Sequence, residues 1–144
     1  MLKFSKKVEY ALIALVYMSE KKSGELSTAR ELSEKFDISL ELMGKLLQKL
    51  SKDSFIASIQ GVKGGYYLLK NSHEITMGDV IQVIDGPIAI VDCVHTDKSK
   101  ICDRHEYCNI CKMMSDVQTK FLTIFNEITL EDFKKSNRIM GILE

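Results

Sequence analysis

Apolar residues recur at helical spacing near the start of the chain. Val8, Ala11, Leu12, Leu15 and Val16 predict a helix from about Lys6 to Ser19. Tyr10, Ile13 and Tyr17 widen its apolar surface, so more than one neighbour should cover it. A second helix starts at Thr28, which forms a capping-box pattern with Glu31, and carries Ala29, Leu32 and Phe36 inward. Asp37-Ile38 is a break. Ser39 is the N-cap of a third helix running to about Lys52. Two short helices with a tight break form a helix-turn-helix pattern. The pattern then shifts to strands at Ile56–Gln60 and Tyr66–Lys70, joined by a glycine-rich turn in which Gly64 and Gly65 are expected to adopt positive φ. A helix-turn-helix followed by a hairpin is a winged helix.

Thr76 and Asp79 cap a fourth helix that ends near Gly86-Pro87. A polar, cysteine-rich stretch follows. Then Ile110, Met114, Val117, Phe121, Ile124 and Ile128 step by four and three along a long helix from about Asn109 to Ile128. That is a heptad seam, and it points to a partner helix, most simply from a second copy of the chain. The competing reading packs this helix into its own core. Thr129 with Asp132 caps a last, short helix. The expected fold is mainly α with a small β-hairpin wing. Residues 1–86 form the DNA-binding region and 87–111 a ligand-binding loop. Residues 109–144 form a dimerisation helix with a short helix after it, all within one intertwined domain.

Composition changes little. The chain has 144 residues, 45% hydrophobic and 28% charged, and no repeat or low-complexity run. Lysines precede an apolar run at the N-terminus, but Glu9 interrupts them and no cleavage pattern follows, so a leader is not expected. No run is long enough for a membrane helix, and a cytoplasmic protein is expected. Net charge is zero, yet uneven. Residues 1–75 hold 12 basic and 9 acidic side chains, and residues 76–144 hold 8 and 11. The N-terminal half is therefore the one suited to an anion.

Lys45, Lys49 and Lys52 share one face of the third helix, opposite Leu42, Leu46 and Leu50. With Ser39, the helix N-terminus and Lys63 at the wing tip, this suits double-stranded DNA. A wing that binds protein is the competing reading. No nucleophile elbow or paired-carboxylate pattern points to an enzyme.

All four cysteines lie between Cys93 and Cys111, spaced Cys93-x8-Cys102-x5-Cys108-x2-Cys111. In a reducing compartment, clustered thiols are metal ligands or redox groups more often than structural bridges. An iron–sulfur cluster accepts irregular spacing of four soft ligands. Zinc, which favours two close pairs, comes second. A Cys108–Cys111 dithiol comes third and leaves Cys93 and Cys102 idle. His95 and His105 are expected to be solvated.

The stretches "KKVEYALIAL", "ARELSEKFDISLELMGKLLQKL", "GVKGGYYLLK", "ITMGDVIQVIDG", the cysteine loop and "ITLEDF" together resemble the Rrf-two (Rrf2) family of bacterial winged-helix regulators, the IscR- and NsrR-like proteins. The resemblance covers nearly the whole chain. It implies a homodimer on a palindromic operator, contacted here through Thr28, Ser39, Leu40, Glu41, Lys45, Lys49, Lys52, Gln60 and Lys63. It also implies a cluster, of two or four irons, on Cys93, Cys102 and Cys108 with a variable fourth ligand. The IscR-like fourth ligand, a histidine, is replaced by Cys111. The NsrR-like one, an acidic residue early in the first helix of the other subunit, corresponds to Glu9. Cys111 is the softer of the two and is favoured. Three positions depart from the family pattern. The first cysteine gap is long, Gly44 stands where IscR-like members place a base-reading glutamate, and Asp37 replaces the usual turn glycine. The expected function is transcription regulation that senses iron–sulfur, redox or nitric oxide status. The alternative is a zinc-stabilised or thiol-switch regulator, or an adaptor that binds protein.

Overall fold

The computed structural model describes residues 2–94 and 102–143, and the side chains among them up to Ile139. His95 and the middle of the cysteine stretch lie outside the described residues. The element order is α1 (Lys6–Glu20), α2 (Ala29–Phe36), α3 (Leu40–Lys52), β1 (Ile56–Ile59), β2 (Gly65–Leu68), α4 (Met77–Asp85), a 3₁₀ turn at Asp92–Val94, α5 (Cys111–Glu127) and α6 (Leu130–Leu143). It is a mostly helical fold with one antiparallel hairpin, a winged helix.

Local chemistry sets the helix starts. Ser5 accepts from the Val8 amide to open α1. Thr28 with Glu31, and Thr76 with Asp79, form complete capping boxes. Thr129 and Asp132 exchange the same bonds ahead of α6. The core gathers Val8, Ala11 and Leu15 of α1, Leu32 of α2, Met43, Leu47 and Leu50 of α3, Ile56 of β1, Val80 of α4, and Ile75 and Leu130 beside them. As expected, α1 has several neighbours: α3, α4, α6 and β2 all pack on it.

The wing differs from expectation in two respects: its strands are shorter, with Gly65 inside β2, and its glycines play another part. Its strands pair Ile56 with Leu68 through Ile59 with Gly65. Gly64 and Gly65 do not have positive φ; Gly61 does, at 116°. What excludes a side chain at Gly64 and Gly65 is proximity. A Cβ on Gly64 would run into the Ile59 carbonyl, and one on Gly65 would lie 2.9 Å from the Leu26 Cβ and 3.0 Å from the Ser27 carbonyl. Ser27 makes a two-bond bridge to Tyr66 there, at 2.9 and 2.7 Å, and so seats the wing on the body.

The last helix is also longer than expected, with 14 residues. No glycine or proline interrupts it before Gly141. Its start is stitched to the body: Leu130 N–H donates to the Ile75 carbonyl at 3.0 Å, and Ser72 donates to Glu131 at 2.5 Å.

Candidate nucleic-acid interface and cysteine site

The turn between α2 and α3, which leaves one face of α3 exposed, passes through one unusual residue.

 Asp37, the C-cap of α2, sits in the left-handed region at φ 52°. That conformation explains why glycine is usual at this position. Ile38 N–H donates to the Ser33 carbonyl at 3.1 Å, the Ser33 hydroxyl donates to the Ile38 carbonyl at 2.5 Å, and the Ile38 side chain is buried. Ser39 then caps α3 by accepting from Leu42 N–H. Met43, Leu46, Leu47 and Leu50 face the core, while Leu42 is only half-buried. Leu40, Glu41, Lys45, Gln48, Lys49 and Lys52 are exposed, as is Thr28 at the start of α2.

The three lysines are not equivalent. Lys45 pairs with Glu41 at 2.7 Å, and that hydrogen bond holds the Glu41 carboxyl below its usual range. Lys49 reaches the other way and donates to the Ile84 carbonyl, at the end of α4, at 2.7 Å. Its ammonium thus serves as a tie between two helices. Lys52 is exposed at the last turn. Gln48, which the lysine spacing did not single out, lies on the exposed face one turn after Gly44 and Lys45. Its amide can both donate to and accept from a base edge. A Cβ on Gly44 would have nothing within 4 Å, so packing does not require this glycine. Gln60 and Lys63 are exposed on the wing, and Val62 between them is fully exposed.

The cysteines lie where the segment after α4 meets α5. Residues Ile88 to Val94 form a strap along α5, with the 3₁₀ turn packed against it. The 3₁₀ turn that carries Cys93 packs against α5, which Cys111 opens. Desolvation pushes the Cys93 thiol above its ordinary range, and the sulfurs of Cys111 and Cys102 add to the rise. His105 Nδ1 lies 3.6 Å from Cys111 Sγ, so this histidine is not simply solvated. All four thiols are half-buried and free of disulfides. Four soft donors suit an iron–sulfur cluster chemically. Among the described residues, however, no three His, Cys, Asp or Glu side chains are placed to hold one metal ion. The structure therefore sets Cys93, in the 3₁₀ turn, beside α5, which Cys111 opens, short of a closed donor set.

Glu9 lies in the first turn of α1 and pairs with Lys6 at 2.7 Å. The heptad seam divides in two. Met114, Val117, Phe121 and Ile128 are half-buried, while Ile110 and Ile124 are about half exposed. Ile110 precedes α5 and Ile128 follows it, so the helix is a little shorter than the expected span. Met114, Val117 and Phe121 line a shallow groove with Leu2, Lys3, Ala89 and Ile90. The buried residue of α5 is one that the seam omits. Gln118 is 7% exposed. Its Oε1 accepts from Ile90 N–H at 3.0 Å, and its Nε2 donates to the Ile88 carbonyl. The signal for it in the sequence was its position seven residues after Cys111, on the same face of α5.

These features define a winged-helix DNA-binding protein. The family model for Rrf2, iron-dependent transcriptional regulators, matches residues 4–136, and the chain belongs to that family. It is a transcription regulator and not an enzyme. Among solved structures it is similar to CymR (YrzC), the global cysteine regulator of B. subtilis. The two share 25% identity over 94% of this chain and 98% of that one, with a TM-score of 0.76. The IscR structure from T. potens has 21% identity over 94% and 88% of the two chains, with a TM-score of 0.73. Staphylococcus aureus CymR has 20% identity over 90% and 96%, with a TM-score of 0.68. Among the described residues, no helix is long and apolar enough to cross a membrane.

Proposed function

We propose that this chain is a homodimeric, cytoplasmic regulator that senses iron–sulfur, redox or nitric oxide status through a cluster held by its cysteines. The observation that carries the reading is the gathering of all four cysteines between Cys93 and Cys111, where the 3₁₀ turn that carries Cys93 packs on α5. Cys108, three residues before Cys111, completes the ligand set. Glu9 of a second copy is the alternative fourth ligand. When bound, a cluster supplies a labile centre whose gain or loss can reset the loop. The protein's own part is to hold the thiols at the junction between the DNA-binding region, residues 1–86, and the α5 region, residues 109–144.

DNA is contacted by Thr28, Ser39, Leu40, Glu41, Lys45 and Lys52, with Gln60 and Lys63 on the wing; Lys49, expected among them, has its ammonium on the Ile84 carbonyl and acts through α4 instead. Gln48, exposed on the same helix, is a further candidate base reader. The half-exposed seam of α5 suits a second copy, and two-fold symmetry would match a palindromic operator.

A second reading has its own support. Cys93 and Cys111 are free thiols in elements that pack on each other, which supports a cluster-free thiol switch in which an external oxidant joins them as a disulfide. Anaerobic purification with a visible spectrum, metal analysis and sulfide count decides between them. A coloured protein with matched iron and sulfide is expected. A colourless protein after anaerobic reconstitution would overturn the cluster reading; bound zinc would then mark a structural site, and no metal with a Cys93–Cys111 disulfide on oxidation would mark the thiol switch. For the fourth ligand, Cys111→Ala should alter the spectrum more than Glu9→Ala. The reverse order would assign that role to Glu9.

A further inference from the structure

The strap and α5 are joined by two rungs on one helix face. Cys111 and Gln118 are seven residues apart, which is two turns, or about 10 Å of rise. The 3₁₀ turn with Cys93 packs on α5 at the Cys111 end of the strap, and Gln118 holds Ile88 and Ile90 at the other. The strap therefore runs antiparallel to α5, with thiols at one rung and a buried amide at the other. Gln118 is the one buried side chain among the described residues from Gly86 to Thr129, and it is polar. Both halves of its amide are spent on strap backbone. Beyond the strap lies the end of α4, where the Ile84 carbonyl accepts from Lys49 of α3. A continuous set of hydrogen bonds and covalent backbone thus runs from the cysteines to the exposed helix of the winged domain.

We propose that Gln118 is a positioning residue that couples the cysteine rung to α3, with the Lys49–Ile84 hydrogen bond as the last link. The coupling deepens the sensing reading above, but it concerns the thiols in any state and does not require a cluster. If the cysteine rung tightens or opens, an anchored strap must pass the displacement to α4, whereas an unanchored strap absorbs it. Linkage makes the coupling mutual, so DNA bound at α3 shifts the conformational equilibrium of the cysteine rung, which alkylation rates report.

The test uses full-length, reduced, metal-free protein and a duplex selected by that protein from a random pool. The readout is the rate at which iodoacetamide alkylates Cys93 and Cys111, with and without saturating duplex. In the unmodified chain, duplex should change these rates by about fivefold or more, the lower end of typical coupling. Gln118→Met keeps length and packing but removes both hydrogen bonds, and Lys49→Met removes the last link. In each, the ratio with and without duplex should fall to within about twofold of one. Thermal melts identify any variant that fails to fold, and the other variant then carries the test. A folded variant that keeps the original ratio would show that its side chain is only structural and overturn the relay. No duplex effect in the unmodified chain would overturn it as well. A colourless reconstituted protein with the alkylation coupling intact would sink the cluster reading alone and leave this one standing.

Discussion

The winged body and the strap–α5 junction are held together by opposite means. In the body, α1, α2, α3 and β1 bury Leu15, Leu32, Met43, Leu47 and Ile56 completely. Between Gly86 and Thr129 the described residues bury one side chain, the amide of Gln118, and leave the seam and the thiols half-exposed. Apolar burial is non-directional and resists small displacements, since every neighbour has to move. Hydrogen bonds and thiol contacts at a half-exposed junction can be exchanged for others at low cost. The difference assigns stability to one region and responsiveness to the other.

Four substitutions test this division, from the largest expected effect to the smallest. Leu47→Ala opens a cavity under α3 and should lower unfolding free energy by about 3 kcal/mol, measured by urea denaturation. A loss under about 1 kcal/mol would mean that the body is not the stable region. Glu31→Gln addresses the polar edge of the body. Burial raises the Glu31 pKa, but hydrogen bonds from Lys21 and Tyr17 outweigh it and hold the carboxyl below its usual range. Its contribution is therefore present above the unfolded carboxylate pKa and is lost as pH falls through the lower folded value. The variant should lose about 1–2 kcal/mol at neutral pH. The gap from the unmodified chain should close in acid melts; a gap constant with pH would place the effect in packing.

Asp37→Gly removes the cost of a left-handed residue while adding glycine's entropy in the unfolded chain, and should stabilise the body by up to about 1 kcal/mol. Cys111→Ala, in the other region, should change stability by less than about 0.5 kcal/mol in metal-free, reduced protein. A loss comparable to that of Leu47→Ala would erase the contrast between the two regions.

Local signals were legible in the sequence and distant contacts were not. The capping boxes at Thr28 and Thr76 depend on residues three apart, and each formed as read. The α3 lysines could be placed on one face by spacing, but the partner of Lys49 lies 35 residues away at Ile84. The glycines of the wing were noticed, yet their cause was misassigned. Gly64 and Gly65 answer to Ile59, Leu26 and Ser27 pressed against them, not to φ. The cysteines were recognised as a group because soft donors were gathered in one polar stretch. A loop position marks His105 only as solvated, and the place of Gln118 two turns after Cys111 gains meaning only once the strap is seen lying on α5.

Gly44 bears on how such regulators can diverge. A helix-interior glycine costs about 1 kcal/mol against alanine, and here no neighbour within 4 Å restricts what could replace it. A mutation at this position meets no steric objection from the fold, and most replacements strengthen the helix. Selection on residue 44 is thus released from folding and left to whatever α3 touches. A new DNA preference could arise there in a single step, without first accumulating stabilising changes elsewhere.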